Sequence, residues 1–261
     1  MNILRNFLGI VFLAMSLGFA NTGFAGLLSE GLEIYLPFDG NAEDMAGTPS
    51  QVTETNIRYE AGKFGKAARF DEIKGAYVSI SAVDVNTNDF TVSFWFKTSD
   101  IDGYMVDARQ GGQETGFYLI SFPNPNSGIW FGVQNGSLGG QTYSLSGLDD
   151  SWHMATGVRR DNSIMLFIDG MLVDEYTGDS VLDIDSPPIT MGKRYIPDSR
   201  LDHYYDGLID DFRYYSRALD EDEVAALYQY NPVPLPGGVW LLASGLIGLA
   251  GVKRMRLAKK C

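Results

Sequence analysis

Ile164-Met165-Leu166-Phe167-Ile168-Asp169-Gly170-Met171-Leu172-Val173-Asp174 sets an Asp-Gly pair between two apolar runs. A type I′ turn needs positive φ at both central residues, and Asp-Gly is one of the pairs that tolerates this. The stretch therefore predicts a β-hairpin. Period-two alternation continues outward from it. In Phe90-Thr91-Val92-Ser93-Phe94-Trp95-Phe96-Lys97, the residues Phe90, Val92, Phe94 and Phe96 share one face; in Leu32 to Phe38, the residues Leu32, Ile34, Leu36 and Phe38 do so. Further strands are predicted over 76–80, 104–108, 117–122, 128–133, 154–159 and 207–215. One helix follows them. Asp220 is a good N-cap, Glu223 completes an approximate capping box, and Val224, Leu227 and Tyr228 form its apolar side. Many strands with a single late helix indicate an all-β sandwich.

Composition agrees. Thirty Gly, 15 Phe and 14 Tyr in 261 residues suit strands joined by turns, while two His and one Cys leave no room for a disulfide framework. A zinc site or triad built on histidine would have to use His153 and His203. Charge is distributed unevenly. Of 20 Lys and Arg, Arg5 precedes residue 27 and five lie beyond Val252, so the middle holds 14 against 33 acids, a balance of −19. Such a surface repels phosphate backbones and anionic membranes, which disfavours nucleic acid as a partner. It accommodates calcium and neutral or cationic partners.

The two ends read as processing segments. Residues 1–25 combine Arg5, an apolar stretch from Phe7 to Phe19, and small residues at Gly23 and Ala25, the three parts of a signal peptide. Cleavage is expected after Ala25, with Ala20 as an alternative and an uncleaved anchor as another. Residues 231–261 carry Val233-Pro234-Leu235-Pro236, an uncharged apolar span from Val239 to Val252, and then Lys253, Arg254, Arg256, Lys259 and Lys260. This order resembles the PEP-CTERM class of bacterial sorting tails, in its Val-Pro-Leu-Pro variant. The resemblance implies a Gram-negative host that makes exopolysaccharide and an exosortase-type membrane peptidase as partner, cutting near the Pro motif and removing Cys261. Independently, the positive-inside rule keeps the basic cluster cytoplasmic and the acidic domain outside, anchored in the inner membrane until processing. The span is short for a full bilayer crossing unless Leu235 to Gly238 is included, and a permanent anchor is the alternative to cleavage.

Residues 26–230 form the third segment. Gly31 to Asn41, Ala61-Gly62-Lys63-Phe64-Gly65-Lys66-Ala67, the Phe90 to Phe96 run, Trp152-His153, the Asp169-Gly170 hairpin, and Gly207 to Leu219 with its helix resemble, in order, the laminin-G-like jelly-roll family. The resemblance implies the concanavalin A-like lectin fold, a sandwich of two antiparallel sheets. That superfold carries lectins, enzymes and adhesion modules alike, so it does not by itself assign a function.

Candidate sites follow from residue types. Asp39, Asn41 and Asp44 put short oxygen side chains in one turn, which suits calcium. Asp210 alternates with Leu208, Phe212 and Tyr214, so it should share their face and need a cation or hydrogen bonds there. Laminin-G-like domains commonly hold calcium at the sandwich edge; the resemblance supports a site of Asp39, Asn41 and Asp210, with Asp44 or Asp211 added. Turn capping and hydrogen bonding are the alternative for all five. Asp84 to Asp89 resembles the opening of an EF-hand loop but lacks its Gly and has Trp95 in place of the bidentate Glu, so it reads as a polar turn. Trp95, Trp130 and Tyr143 could stack on sugar rings, Trp130 lying beside the 123–127 loop; packing is the alternative. Asn135-Gly136-Ser137 reads as an Asn-Gly turn rather than a glycan acceptor. No catalytic residues are expected. The Glu-x-Asp-x-Glu strand of related glucanases is absent, and Asp220-Glu221-Asp222-Glu223 is a helix start where acids favour the dipole. The sequence thus points to an exported binding or structural protein of the cell surface or extracellular matrix, with polysaccharide as partner. A polysaccharide-active enzyme and a protein-binding adhesion module are the alternatives.

Overall fold

A computed structural model describes residues 28–46, 50–81, 89–110, 115–123, 127–135, 138–178, 188–194 and 203–230. The described strands form two antiparallel sheets. In chain order they are β1 (Leu32–Leu36), β2 (Val52–Thr55), β3 (Arg58–Ala61), β4 (Lys66–Phe70), β5 (Tyr77–Ile80), β6 (Phe90–Lys97), β7 (Gly103–Gln110), β8 (Thr115–Phe122), β9 (Gly128–Asn135), β10 (Leu138–Ser144), β11 (His153–Arg160), β12 (Ser163–Ile168), β13 (Met171–Thr177), β14 (Ile189–Met191) and β15 (Gly207–Tyr215). The first sheet runs β13-β12-β11-β6-β15-β4-β3, with β1 also paired to β15; the second runs β10-β9-β8-β7-β14-β5-β2. The predicted hairpin is β12–β13, and its turn has φ of 53° at Asp169 and 78° at Gly170.

The core lies between the sheets. Phe90, Val92, Phe94 and Phe96 of β6 meet Phe117, Leu119, Phe131 and Val133 of the second sheet, all buried. A second cluster covers the outer face of the first sheet, where Trp95, Met154, Val158, Phe167 and Tyr215 pack under Val224 and Leu227 of α1 (Glu221–Gln229). The capping box is formed: Asp220 Oδ1 accepts from Glu223 N at 2.8 Å, and Glu223 Oε2 accepts from Asp220 N at 2.9 Å. Among the described residues no helix is long and apolar enough to cross a membrane; the 239–252 span lies outside them.

Two faces differ from the alternation read in the sequence. Leu32 packs with the second cluster rather than with Ile34, Leu36 and Phe38, because a register shift between Leu32 and Ile34 turns it over. Asp210 does not share a face with Phe212 and Tyr214. A bulge between Asp210 and Arg213, with Asp211 at φ 55°, inserts a residue and inverts the parity. Ile209, Phe212 and Tyr214 therefore point into the core, and Asp210 points outward beside Trp95.

Candidate functional site

The outer face of the second sheet carries two transverse rows. Register places Tyr104, Ile120, Trp130 and Tyr143 side by side across β7, β8, β9 and β10. Each follows from alternation, since Phe117, Leu119, Ile129 and Phe131 take the opposite, inner face. The Trp130 ring lies 4.9 Å from Phe122 and 6.1 Å from Tyr143. Tyr143 is 51% exposed, and Phe122, two residues beyond Ile120 on the same face, is 38% exposed, so ring surface here is offered to solvent. The Trp130 indole N–H is buried, and the residue presents its ring rather than its donor.

The neighbouring row is polar. It runs Thr190, Asp107, Tyr118, Gly132, Gln141 across β14, β7, β8, β9 and β10. Arg109 Nε donates to Asp107 Oδ1 at 2.6 Å, and its guanidinium sits 4.4 Å from the Tyr118 ring and 5.3 Å from that of Tyr104. Burial, the largest single effect, would lower the Arg109 pKa, but the Asp107 charge and hydrogen bond together with Tyr104 outweigh it and the pKa rises. The Tyr118 hydroxyl donates to Gln141 Oε1 at 3.1 Å. Gly132 makes this reach possible: a Cβ there would run into the Tyr118 ring. Asp107, Arg109, Tyr118 and Thr190 are buried, and Gln141 alone of this row is exposed, so aromatic surface lies beside one amide held in place by the Tyr118 hydroxyl.

Trp130 and Tyr143 are thereby brought together. Phe122, Tyr104, Tyr118, Gln141 and the Asp107–Arg109 pair were not singled out in the sequence, although period-two alternation would have set Asp107 and Arg109 on one face. Trp95 is no groove residue. It is 2% exposed, stacks on Tyr228 at 5.3 Å, meets Phe64 edge-on at 5.8 Å, and has the Lys63 Nζ 4.0 Å above its ring. Trp152 also packs against the second cluster.

The five oxygen-bearing residues expected around calcium separate into four environments. Asp44 is buried and accepts from Tyr35 N, Ala46 N and Ser50 N at 3.0, 2.9 and 2.9 Å. Asn41 closes a turn onto Glu43 N at 3.1 Å, and Asp211 pairs with both terminal nitrogens of Arg213. Asp39 and Asp210 flank the Gly62–Lys66 turn together. Asp39 Oδ1 accepts from Lys66 N at 2.9 Å and Asp210 Oδ2 from Phe64 N at 3.0 Å, while the buried Asp210 Oδ1 has no hydrogen-bond partner. Desolvation, opposed by the Phe64 N–H and reinforced by the Asp211 and Asp39 charges, pushes the Asp210 pKa up to about 7. Among the described residues no three or more His, Cys, Asp or Glu side chains are grouped to hold a metal ion. The Asp84–Asn88 part of the EF-hand-like run, the Gly136-Ser137 turn, and Val233-Pro234-Leu235-Pro236 lie outside the described residues.

The architecture is that of a lectin-type jelly-roll sandwich. The chain belongs to the concanavalin A-like lectin/glucanases superfamily, whose laminin-G model matches residues 72–225. No curated protein matches the sequence. Among solved structures, botulinum neurotoxin type C, whose cell entry is described as dependent upon interaction with two ganglioside molecules, is similar at 16% identity and TM-score 0.64, over 77% of this chain and 52% of that one. The binding domain of botulinum neurotoxin serotype C1 is similar at 17% identity and TM-score 0.62, over 77% and 52%. The binding domain of Paraclostridial Mosquitocidal Protein 1 gives 18% and 0.63, again over 77% and 52%. This chain spans about half the length of these structures.

Proposed function

We propose that this protein is an exported, non-catalytic carbohydrate-binding module of the cell surface or exopolysaccharide matrix. The observation that carries the reading is the aromatic row Tyr104–Ile120–Trp130–Tyr143 beside the exposed Gln141 amide. Sugar C–H faces would cover Trp130 and Tyr143, removing apolar area from water at ~25 cal/mol per Å². Hydroxyls would meet the exposed Gln141 amide, which the buried Tyr118 hydroxyl orients. The ganglioside dependence described for botulinum neurotoxin type C is a precedent for sugar recognition by a protein sharing this sandwich, and no more than that.

Export rests on the two ends. The proposal includes removal of residues 1–25, exosortase-type cleavage near Val233-Pro234-Leu235-Pro236, and transient inner-membrane anchoring by 239–252 in a Gram-negative bacterium. Calcium is proposed for the Asp39–Asp210 corner alone, supported by the unpartnered Asp210 Oδ1 beside a second carboxylate. Backbone carbonyls and water would complete its oxygen shell. A glycan array probed with the full chain, in calcium and in chelator, tests the function. Retention of a defined glycan set without release of products is expected. Product release would make the protein an enzyme, and capture of a protein with no glycan retained would make it an adhesion module.

A further inference from the structure

The outer face of the first sheet holds a cleft of about 310 Å³ where β6 ends and β15 begins. Leu208 registers with Arg69 on β4 and with Lys97 on β6, so the three side chains form one outward row along the cleft. Glu60, Asp150 and Asp206 complete its charged lining. The aromatic rows described above lie on the other sheet, facing the opposite way.

Part of this lining is fixed. Arg69 is ion-paired with Asp206. The Asp206 backbone is clamped in turn: its N–H donates to Asp100 Oδ2 at 3.1 Å and its carbonyl accepts from Thr98 Oγ1 at 2.6 Å. Asp150 is held by its own N–H, which donates to the Thr98 carbonyl at 2.9 Å from a left-handed backbone at φ 60°. A residue in that conformation is set by its surroundings rather than free to drift. The side chains of Lys97, Glu60 and Asp150, by contrast, make no hydrogen bond or ion pair with other described residues.

The size and the charges define the ligand. A site of this volume is at the lower end of the range for small-molecule pockets, which suits a single ring. With Arg69 neutralised by Asp206, two carboxylates remain against one ammonium. A second carboxylate or a phosphate in the ligand would add to that imbalance, in a domain already carrying −19. A ligand ammonium would cancel it, and hydroxyls can accept from Lys97 while a C–H face covers Leu208.

We propose that this cleft is a second ligand site, taking a hydroxyl-rich sugar ring that carries a free amine, such as an unacetylated hexosamine unit. Asp150, at the β6 end, holds the ammonium, Glu60 across the row accepts from a ring hydroxyl, Lys97 donates to another, and Leu208 forms the apolar floor. One consequence rests on the carbohydrate reading of the aromatic face. With sites on opposite faces, one chain bridges two glycan strands and cross-links a matrix as a monomer, with the avidity that bivalence brings.

The test titrates glucosamine, glucose, N-acetylglucosamine and glucuronate into the full chain by calorimetry, in a detergent without sugar headgroups. Glucosamine is expected to bind most tightly and glucuronate least, with added salt weakening glucosamine more than glucose because its contact is charge-assisted. Asp150→Asn should lower glucosamine affinity about tenfold, the scale of a lost hydrogen bond to a charged group, and Glu60→Gln should weaken glucosamine and glucose alike. Both residues are exposed, so unchanged melting curves will show that the variants are folded. Glucosamine binding should survive Trp130→Ala. If it is lost in Trp130→Ala but kept in Asp150→Asn, the sugar sits on the aromatic face and the cleft is not a site. Glucosamine binding no tighter than glucose, or variants that bind as wild type does, would equally overturn the proposal. Cleft binding in a protein that retains no glycan on an array would leave this site standing and remove the reading of the aromatic face.

Discussion

Replacing Asp210 with asparagine should stabilise this fold at neutral pH and not in acid. Asp210 is fully buried, one carboxylate oxygen has no partner, and its pKa is raised to about 7, chiefly by desolvation. The unfolded chain titrates this group near 3.9. The native state therefore keeps the proton to higher pH, and stability is full below about pH 4 and falls as pH rises toward 7. At 1.36 kcal/mol per pH unit over about three units, the loss is about 4 kcal/mol. The asparagine side chain cannot ionise, and its amide oxygen still accepts from Phe64 N. Its NH₂ brings a constant cost of about 1 kcal/mol if it finds no acceptor. Urea unfolding of the full chain in chelator at pH 4 and pH 8 measures both curves. Asp210→Asn should gain about 4 kcal/mol on wild type between those pH values. His153 contributes a slope of the same sign: burial opposes its proton, but Asp169 and Asp149 outweigh it and raise its pKa, so its stabilisation is lost as pH rises. That contribution cancels in the difference between wild type and variant. A difference that stays constant with pH would refute the reasoning, since it would mean that Asp210 titrates as an ordinary surface carboxylate.

Arg109→Ala strands Asp107, which is fully buried, and should cost about 3–5 kcal/mol in chemical denaturation; Asp107→Ala combined with it should cost less than the sum of the single changes. Gly132→Ala forces a methyl against the Tyr118 ring and should destabilise by about 1–3 kcal/mol while weakening glycan retention, both measurable on one preparation. If calcium occupies the Asp39–Asp210 corner, a hundredfold excess over Kd adds about 2.7 kcal/mol and raises Tm; Asp39→Ala should abolish most of the rise and Asp84→Ala should leave it intact, whereas equal melts in calcium and chelator would remove the site.

The parts of the fold legible in the sequence are those where alternation and turn chemistry act alone. Asp169-Gly170 is such a case, as is β6, whose bounds at Phe90–Lys97 coincide with the alternating run. The strands that escaped, β2, β3, β4, β10 and β14, are short or mixed in character: Val-Thr-Glu-Thr, Arg-Tyr-Glu-Ala, Lys-Ala-Ala-Arg-Phe, a β10 containing Gly139-Gly140, and three-residue Ile-Thr-Met. They are strands because a neighbour supplies a ladder, which local pattern does not record. Asp210 was misplaced for a related reason: a single left-handed residue, Asp211, reverses the parity of everything after it. For the site, Trp130 and Tyr143 were recognisable as exposed aromatic types. Their adjacency depends on the β9–β10 register, and the Asp107–Arg109 pair lies just beyond a second irregularity between Tyr104 and Val106.

The central claim is that glycan rings sit on the aromatic row of the second sheet. Its most direct measurement is the affinity of the array's best-retained glycan for wild type, Trp130→Ala and Tyr143→Ala, each checked for an unchanged melting transition. Covering one such aromatic side chain is worth roughly 1.5–3 kcal/mol, so each variant should bind at least about tenfold more weakly. Equal affinity in all three would contradict the account and move the binding surface elsewhere on the sandwich.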